Sequence, residues 1–245
     1  MNEGHDNLRG EEPGQAVRPT SAEPSISFDE LRTGFTAAVS HELRTPLARI
    51  LALLDSAELP DADVLALIDQ ARAEVENAGT LIDEILFLSE LESGREIVSL
   101  GHTTAMPVLE SVLEEFADAA LRAGMTLATA GEPDVDVPLR PRMLRIVAKN
   151  LAENAIRYAG QGATFTLAVH RAGEFAVLTA ADDGAGVPES SLPRLFERFY
   201  RTDAARTSRG TGLGLAIVKH IVVAAGGEVE AVGGRGLRIR ATFPG

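Results

Sequence analysis

Apolar positions along the chain fall into two regimes. Between residues 28 and 56, Phe35, Val39, Leu43, Leu47, Ile50 and Leu54 recur at steps of four and three, the stripe of an amphipathic helix. Leu59-Pro60-Asp61 interrupts it, and Pro60 cannot continue a helix. From 63 to 93, Val64, Ile68, Ala71, Val75, Ala78, Ile82 and Ile85 alternate steps of four and three, a heptad seam that Leu67, Leu81 and Leu88 widen. Two long helices joined by a short loop predict an antiparallel hairpin. Its stripes are too wide for the hairpin to enclose, so either a second copy covers them in a four-helix bundle or a later helix of the same chain does.

After Ser93-Gly94 the pattern becomes mixed. It predicts a strand over 97–100, a helix over 106–122, a strand over 126–129 and a long helix over 142–158. Alternating segments at 164–170 and 175–181, joined by Ala172-Gly173, read as a hairpin. A Gly/Ser/Arg-rich stretch to Gly214, a helix to about residue 225 and a closing hairpin of 228–232 with 237–243 complete the chain. The expected class is α+β: a helical hairpin followed by a two-layer α/β sandwich. Residues 1–25, rich in Gly and Pro without an apolar period, read as a flexible tail.

Composition narrows the classes. With 245 residues, 45% of them apolar, the chain can bury a substantial core. It has no Cys, which excludes disulfides, thiol nucleophiles and Cys-ligated metals. No apolar run approaches the roughly 18 residues that span a bilayer, and no signal-peptide stretch is present, so a soluble, cytoplasmic chain is expected. The net charge of −13 argues against nucleic acid or an anionic membrane as a direct partner. All of that surplus lies in residues 1–100, with 20 acidic and 7 basic groups, whereas the remainder is neutral overall. Two units with different surfaces are implied.

Candidate chemistry begins at Ser40-His41-Glu42-Leu43-Arg44-Thr45-Pro46-Leu47. His41 is rotated roughly 200° from the apolar stripe and faces solvent, with Thr45 on the same face and Glu42 beside it. A zinc site of the helical metalloprotease kind fails, because Thr45 stands where a second His is needed. Asn150 and Asn154 share a helix face, and amide oxygens suit Mg²⁺ accompanied by phosphates. Arg157 could meet phosphate and Tyr158 could stack on a base. Asp182-Asp183-Gly184-Ala185-Gly186 ends a strand. It reads either as a plain Asp/Gly turn or as a carboxylate accepting from an exocyclic amine while Gly184 and Gly186 admit a flat ligand. Gly210-Thr211-Gly212-Leu213-Gly214 opens a helix whose amides favour phosphate. Neither a dinucleotide fingerprint nor a P-loop is present.

In order and spacing these clusters resemble the sensor histidine kinases of two-component signalling, over about residues 28–245. Residues 40–47 resemble the phosphoacceptor box, 150–158 the asparagine box, 182–186 the first glycine box, Leu195-Phe196-Glu197-Arg198-Phe199-Tyr200 the phenylalanine box, and 210–214 the second glycine box. The resemblance implies a homodimeric four-helix bundle followed by an ATP-binding sandwich, with boundaries at 1–25 for the tail, 26–94 for the phosphoacceptor hairpin and 95–245 for the catalytic part. It implies that His41 takes the γ-phosphoryl group of ATP and passes it to an aspartate on the receiver domain of a response regulator. Glu42 would hold the other ring nitrogen, and Thr45 would position water for removing phosphate from the regulator. Asn154, assisted by Asn150, would hold Mg²⁺, with Asp182 selecting adenine and a lid at about 200–209 covering ATP. Any membrane link would run through a sensor region upstream. Two positions depart from the family pattern: Leu139-Arg140-Pro141 replaces a frequent acidic residue, and Gly236-Leu237 a frequent Gly-Thr. The competing readings are an ATPase of the same superfamily, which would carry a water-activating Glu at position 150, and a non-catalytic nucleotide-binding scaffold.

Overall fold

The computed structural model describes residues 28–94, 101–202 and 210–245, with side chains from residue 38 onward. The expected tail at 1–25, the strand at 97–100 and lid residues 203–209 lie outside the described residues. Helix α1 spans Phe28–Ala57 and runs unbroken through Pro46. Helix α2, Val64–Glu92, begins where the Asp63 side chain accepts from the Ala66 amide, an N-cap of the kind that stabilises helices by about 1 kcal/mol. Arg49 reaches the buried Glu74 at 3.6 Å and ties the two helices together.

The heptad seam does not form the buried side of α2. Val64, Ile68, Val75 and Ile82 are exposed in the single chain, as are Leu47, Leu51 and Leu54 of α1, with Leu51 at 61%. The buried residues of α2 are Glu74, Leu81, Leu88 and Leu91. Leu81 and Leu88, expected to widen the seam, instead belong to the side of α2 that packs within the chain, where α2 meets the helix α6, Gly214–Ala224. Ala38–Gly245 accordingly forms one compact unit.

A five-stranded sheet carries the rest, in the order β2 (Thr126–Gly131), β4 (Thr164–Ala172), β5 (Phe175–Asp182), β7 (Arg238–Pro244), β6 (Glu228–Val232). Strands β2 and β4 are parallel and the other pairs antiparallel. Alternation in β4 and β7 buries Phe165, Leu167 and Val169 with Ile239, Ala241 and Phe243. Burial of each large side chain contributes about 1.5–3 kcal/mol. Helices α3 (Ala105–Glu115), α5 (Pro141–Tyr158) and α6 contact this sheet, and the two-layer α/β sandwich expected from the pattern is the observed fold.

Two details differ from expectation. The helix expected over 106–122 is two helices, α3 and α4 (Ala117–Ala123), parted at Phe116, whose φ of −94° and ψ of 0° leave helical geometry. A two-stranded ribbon pairs β1, Thr103–Thr104, with β3, Asp136–Val137, fastened by a hydrogen bond from Thr104 Oγ1 to Asp136 Oδ1 of 2.7 Å.

Candidate nucleotide and phosphoacceptor sites

Helix α5 begins with Pro141 at its first turn, where the missing N–H is no loss. Met143, Leu144, Val147, Ala148, Leu151, Ala152 and Ala155 bury one side of it. The other side presents Asn150, Glu153, Asn154, Arg157 and Tyr158 to a cleft of about 310 Å³. Ala185, Gly186, Val187, Leu195 and Leu237 line it as well, together with Thr211, Gly212, Gly214 and Leu215. Polar and apolar groups in one cleft suit a ligand that has a flat base and a charged tail.

Strand β5 is central in the sheet and delivers Asp182 at its end. Asp182 Oδ1 accepts from the Gly184 amide at 3.0 Å and from the Leu237 amide at 3.4 Å. Burial raises its pKa; the amides of Gly184 and Leu237 counter this in part, and Asp183 adds to it. Asp182, Gly184, Gly210 and Leu213 do not line the cleft. Gly184 lies against the end of α5, where a Cβ would stand 2.1 Å from the Ala159 carbonyl oxygen, so its side-chain-free surface serves protein packing. Leu213 is fully buried beneath the start of α6 and acts as a core residue.

The 210–214 loop feeds α6. Asn150 Nδ2 donates to the Ile146 carbonyl at 2.8 Å, which turns Oδ1 toward the loop; a Cβ at Gly214 would meet that oxygen at 2.6 Å. A Cβ at Gly210 would likewise meet Arg157 Nη1 and Tyr158 Oη, each at 2.9 Å. Arg201 Nη1 donates to the Gly210 carbonyl at 2.8 Å, and the Phe199 amide to the Gly212 carbonyl at 3.0 Å. These bonds tie the phenylalanine-box segment to the glycine loop. Tyr200, from the same segment, lines the cleft, with the Arg194 guanidinium 4.3 Å from its ring centre.

The residues fit a magnesium-bearing triphosphate. Asn154 and Glu153 offer oxygen donors, Arg157 a cation, and the start of α6 unpaired amides.

His41 projects from α1 with its side chain 74% exposed, as its angular position predicts. Its Nδ1 lies 3.2 Å from Glu42 Oε1. Thr45 Oγ1 donates to the His41 carbonyl at 3.4 Å, one turn below. Arg201 and Thr202, from the start of the expected lid, line the cleft, and so do Glu84 of α2, Glu153, Val187, Leu215 and the side chain of Leu237, which the sequence motifs do not single out. Glu84 had a legible signal: it stands between Leu81 and Leu88 at steps of three and four, a carboxylate inside an apolar stripe.

Two family models match the chain. The "His Kinase A (phospho-acceptor) domain" covers residues 31–94, and the "Histidine kinase-, DNA gyrase B-, and HSP90-like ATPase" covers residues 139–245. Sensor histidine kinase WalK of Bacillus subtilis is 29% identical over 229 residues, covering 89% of this chain and 37% of that protein. The solved histidine kinase AdeS of Acinetobacter baumannii superposes with a TM-score of 0.67 at 26% identity, over 83% of this chain and 97% of that one. Full-length ShkA in complex with AMPPNP gives a TM-score of 0.62 at 27% identity, over 85% of this chain and 45% of that one. The chain spans about half the length, or less, of the curated relatives it matches.

Proposed function

Because the chain belongs to the two-component sensor histidine kinases, we propose that it binds ATP in the α5–α6 cleft, phosphorylates its own His41 and passes the phosphoryl group to a response regulator. The observation that carries this reading is the pairing of a solvent-facing imidazole, held at one nitrogen by a carboxylate, with a cleft that offers an amide, a guanidinium and a glycine loop. With Nδ1 directed at Glu42, Nε2 keeps the lone pair that attacks the γ-phosphorus. The bond from that phosphorus to the β–γ bridging oxygen breaks, ADP leaves with the electron pair, and the Nδ1 proton passes to Glu42. An aspartate carboxylate of the regulator then attacks the same phosphorus, the P–N bond breaks with its electron pair returning to Nε2, and Glu42 gives the proton back to Nδ1. Thr45, on the exposed face of His41, positions water for dephosphorylating the regulator.

Beside the cleft, next to the lining residue Leu237 whose amide it accepts, Asp182 receives the exocyclic amine of adenine, while Tyr158 lies near the base and Arg157 meets phosphate. Asn154, with Asn150 beside it, would hold Mg²⁺, which would supply charge neutralisation at the phosphates. A kinase of this kind would work in the cytoplasm, where ATP and a response regulator are found. Incubation with γ-labelled ATP and Mg²⁺ should give protein-bound label that survives alkali and is lost in acid; label with the opposite stability would point to a different acceptor.

Asp182 gives a test of the adenine end. A carboxyl whose native pKa is raised contributes stability that is present below its unfolded value and is lost as pH rises through the native value. Asp182→Asn keeps an oxygen for the two amides and removes the half-buried charge. The variant should melt no lower than the parent at neutral pH and lose part of the parent's pH dependence, while binding ADP about tenfold or more weakly. Unchanged ADP affinity by calorimetry would remove Asp182 from the adenine site.

The exposed seam supports a dimer. A second copy laid on Leu47, Leu51 and Leu54 of α1 and Ile68, Val75 and Ile82 of α2 would complete the four-helix bundle. Leu51→Glu and Ile68→Glu should each raise the dimer dissociation constant about tenfold or more. Sedimentation equilibrium showing an unchanged dimer would place the interface elsewhere.

A further inference from the structure

Helix α2 enters the same cleft. Glu84, projecting from it, lines the cleft with Asn154, Arg157 and Gly212, and its Oε2 accepts from Thr211 Oγ1 at 2.5 Å. Eight residues further along α2, Glu92 pairs with Arg198 of the phenylalanine-box segment. Between them Leu88 and Leu91 are buried, with Leu88 at 1% exposure, and Leu81 is buried one turn before Glu84. The two acidic side chains therefore grip the glycine loop and the phenylalanine-box wall, on either side of a leucine ridge.

We propose that this contact is a self-inhibitory latch: Glu84 stands where the phosphates of the nucleotide would lie, so docking of α2 and seating of a nucleoside di- or triphosphate compete for the same ground. The inference rests on the nucleotide reading of the cleft. Thr211 belongs to the loop that opens α6, and its hydroxyl, like the first amides of that helix, is a donor suited to a phosphate oxygen. In the docked arrangement a carboxylate occupies that donor. A phosphate brought beside it meets like charge from Glu84 and from Glu153, with Arg157 as the opposing cation. Burial raises the pKa of Glu84, although the Thr211 hydroxyl and Arg157 favour the charged form, so its seat is a desolvated one. The sequence offers the same helix two tasks. The side carrying Leu81, Glu84, Leu88 and Leu91 holds the catalytic layer, and the side carrying Ile68, Val75 and Ile82 is left for a partner copy. A signal that shifts α2 would thereby open the nucleotide site.

The full chain tests this with a trinitrophenyl derivative of ADP as the probe. Glu84→Ala should tighten binding about tenfold, and Glu84→Gln, which keeps an acceptor for Thr211 without the charge, should tighten it less. Since the chain has no Cys, Glu92→Cys combined with Arg198→Cys provides two thiols that a short bis-methanethiosulfonate reagent can bridge. Bridging in the absence of nucleotide should weaken probe binding about tenfold or more, dithiothreitol should restore it, and saturating ADP should slow the bridging. Binding that ignores the bridge, thiols that do not bridge, or Glu84→Ala with unchanged or weaker binding each overturns the latch. Should the unmodified chain take up no probe at all, the nucleotide reading fails first and the latch falls with it.

Discussion

His41→Gln abolishes the alkali-stable, acid-labile label, a loss of more than about 10³-fold, because a glutamine amide has no lone pair able to attack phosphorus. The same variant binds ADP as tightly as the parent, because His41 projects from α1 with its side chain in solvent and is absent from the cleft lining. Affinity and labelling should therefore separate completely in this one protein. Label that persists in His41→Gln would assign phosphorylation to another residue; label and ADP binding lost together would mean that the substitution acts through folding. Circular dichroism discriminates, since an exposed helical position tolerates Gln with little change in stability.

The second large effect is expected at Gly236. Its φ is +79°, and a Cβ there would lie 1.8 Å from the carbonyl oxygen of Asp182 and 2.9 Å from its Oδ1. Gly236→Ala forces a left-handed conformation on a residue with a side chain and also drives the turn away from the end of β5. Stability should fall by about 2 kcal/mol or more. The Leu237 amide, which donates to Asp182, moves with the turn. ADP affinity should drop even under conditions where the protein remains folded, checked by calorimetry below the melting transition. Retained affinity with unchanged melting temperature would mean that the turn relaxes freely and does not position Asp182.

Much of this was legible in the residues. The two long helices were set by a stripe with steps of three and four and by Pro60, and Asp63 supplies the cap that starts α2. Alternation marks β4, whereas β5 buries Ala176, Val177 and Leu178 in a row and is marked by its apolar run, and Asn150 with Asn154 are marked by their spacing on one helix face. What escaped did so for physical reasons. Strands β1 and β3 are two residues each, too short for any period to register. The break at Phe116 involves neither Gly nor Pro, so no local residue announces it. The seam of α2 shows where apolar residues recur but not which surface covers them. Leu81 and Leu88 thus looked like part of a partner-facing stripe when they pack within the chain. Leu213 was grouped with the glycines around it, whereas its side chain is a core anchor under α6. Leu237 was noted only as standing where a Thr is frequent; in the fold its amide supports Asp182 and its side chain lines the cleft.

Two segments of unequal stiffness border the cleft. Asp182 closes a central strand and is pinned by two backbone amides, while the loop at 210–214 is held by side chains from a separate helix and from the phenylalanine-box segment. An inhibitor designed only against the strand end would meet the same surface whether or not α2 is docked, and its potency would be blind to the signalling state. A compound reaching Thr211 must displace Glu84, so its potency would rise and fall with that state. Such a pair of compounds, used side by side, would report how often α2 is docked without any label on the protein.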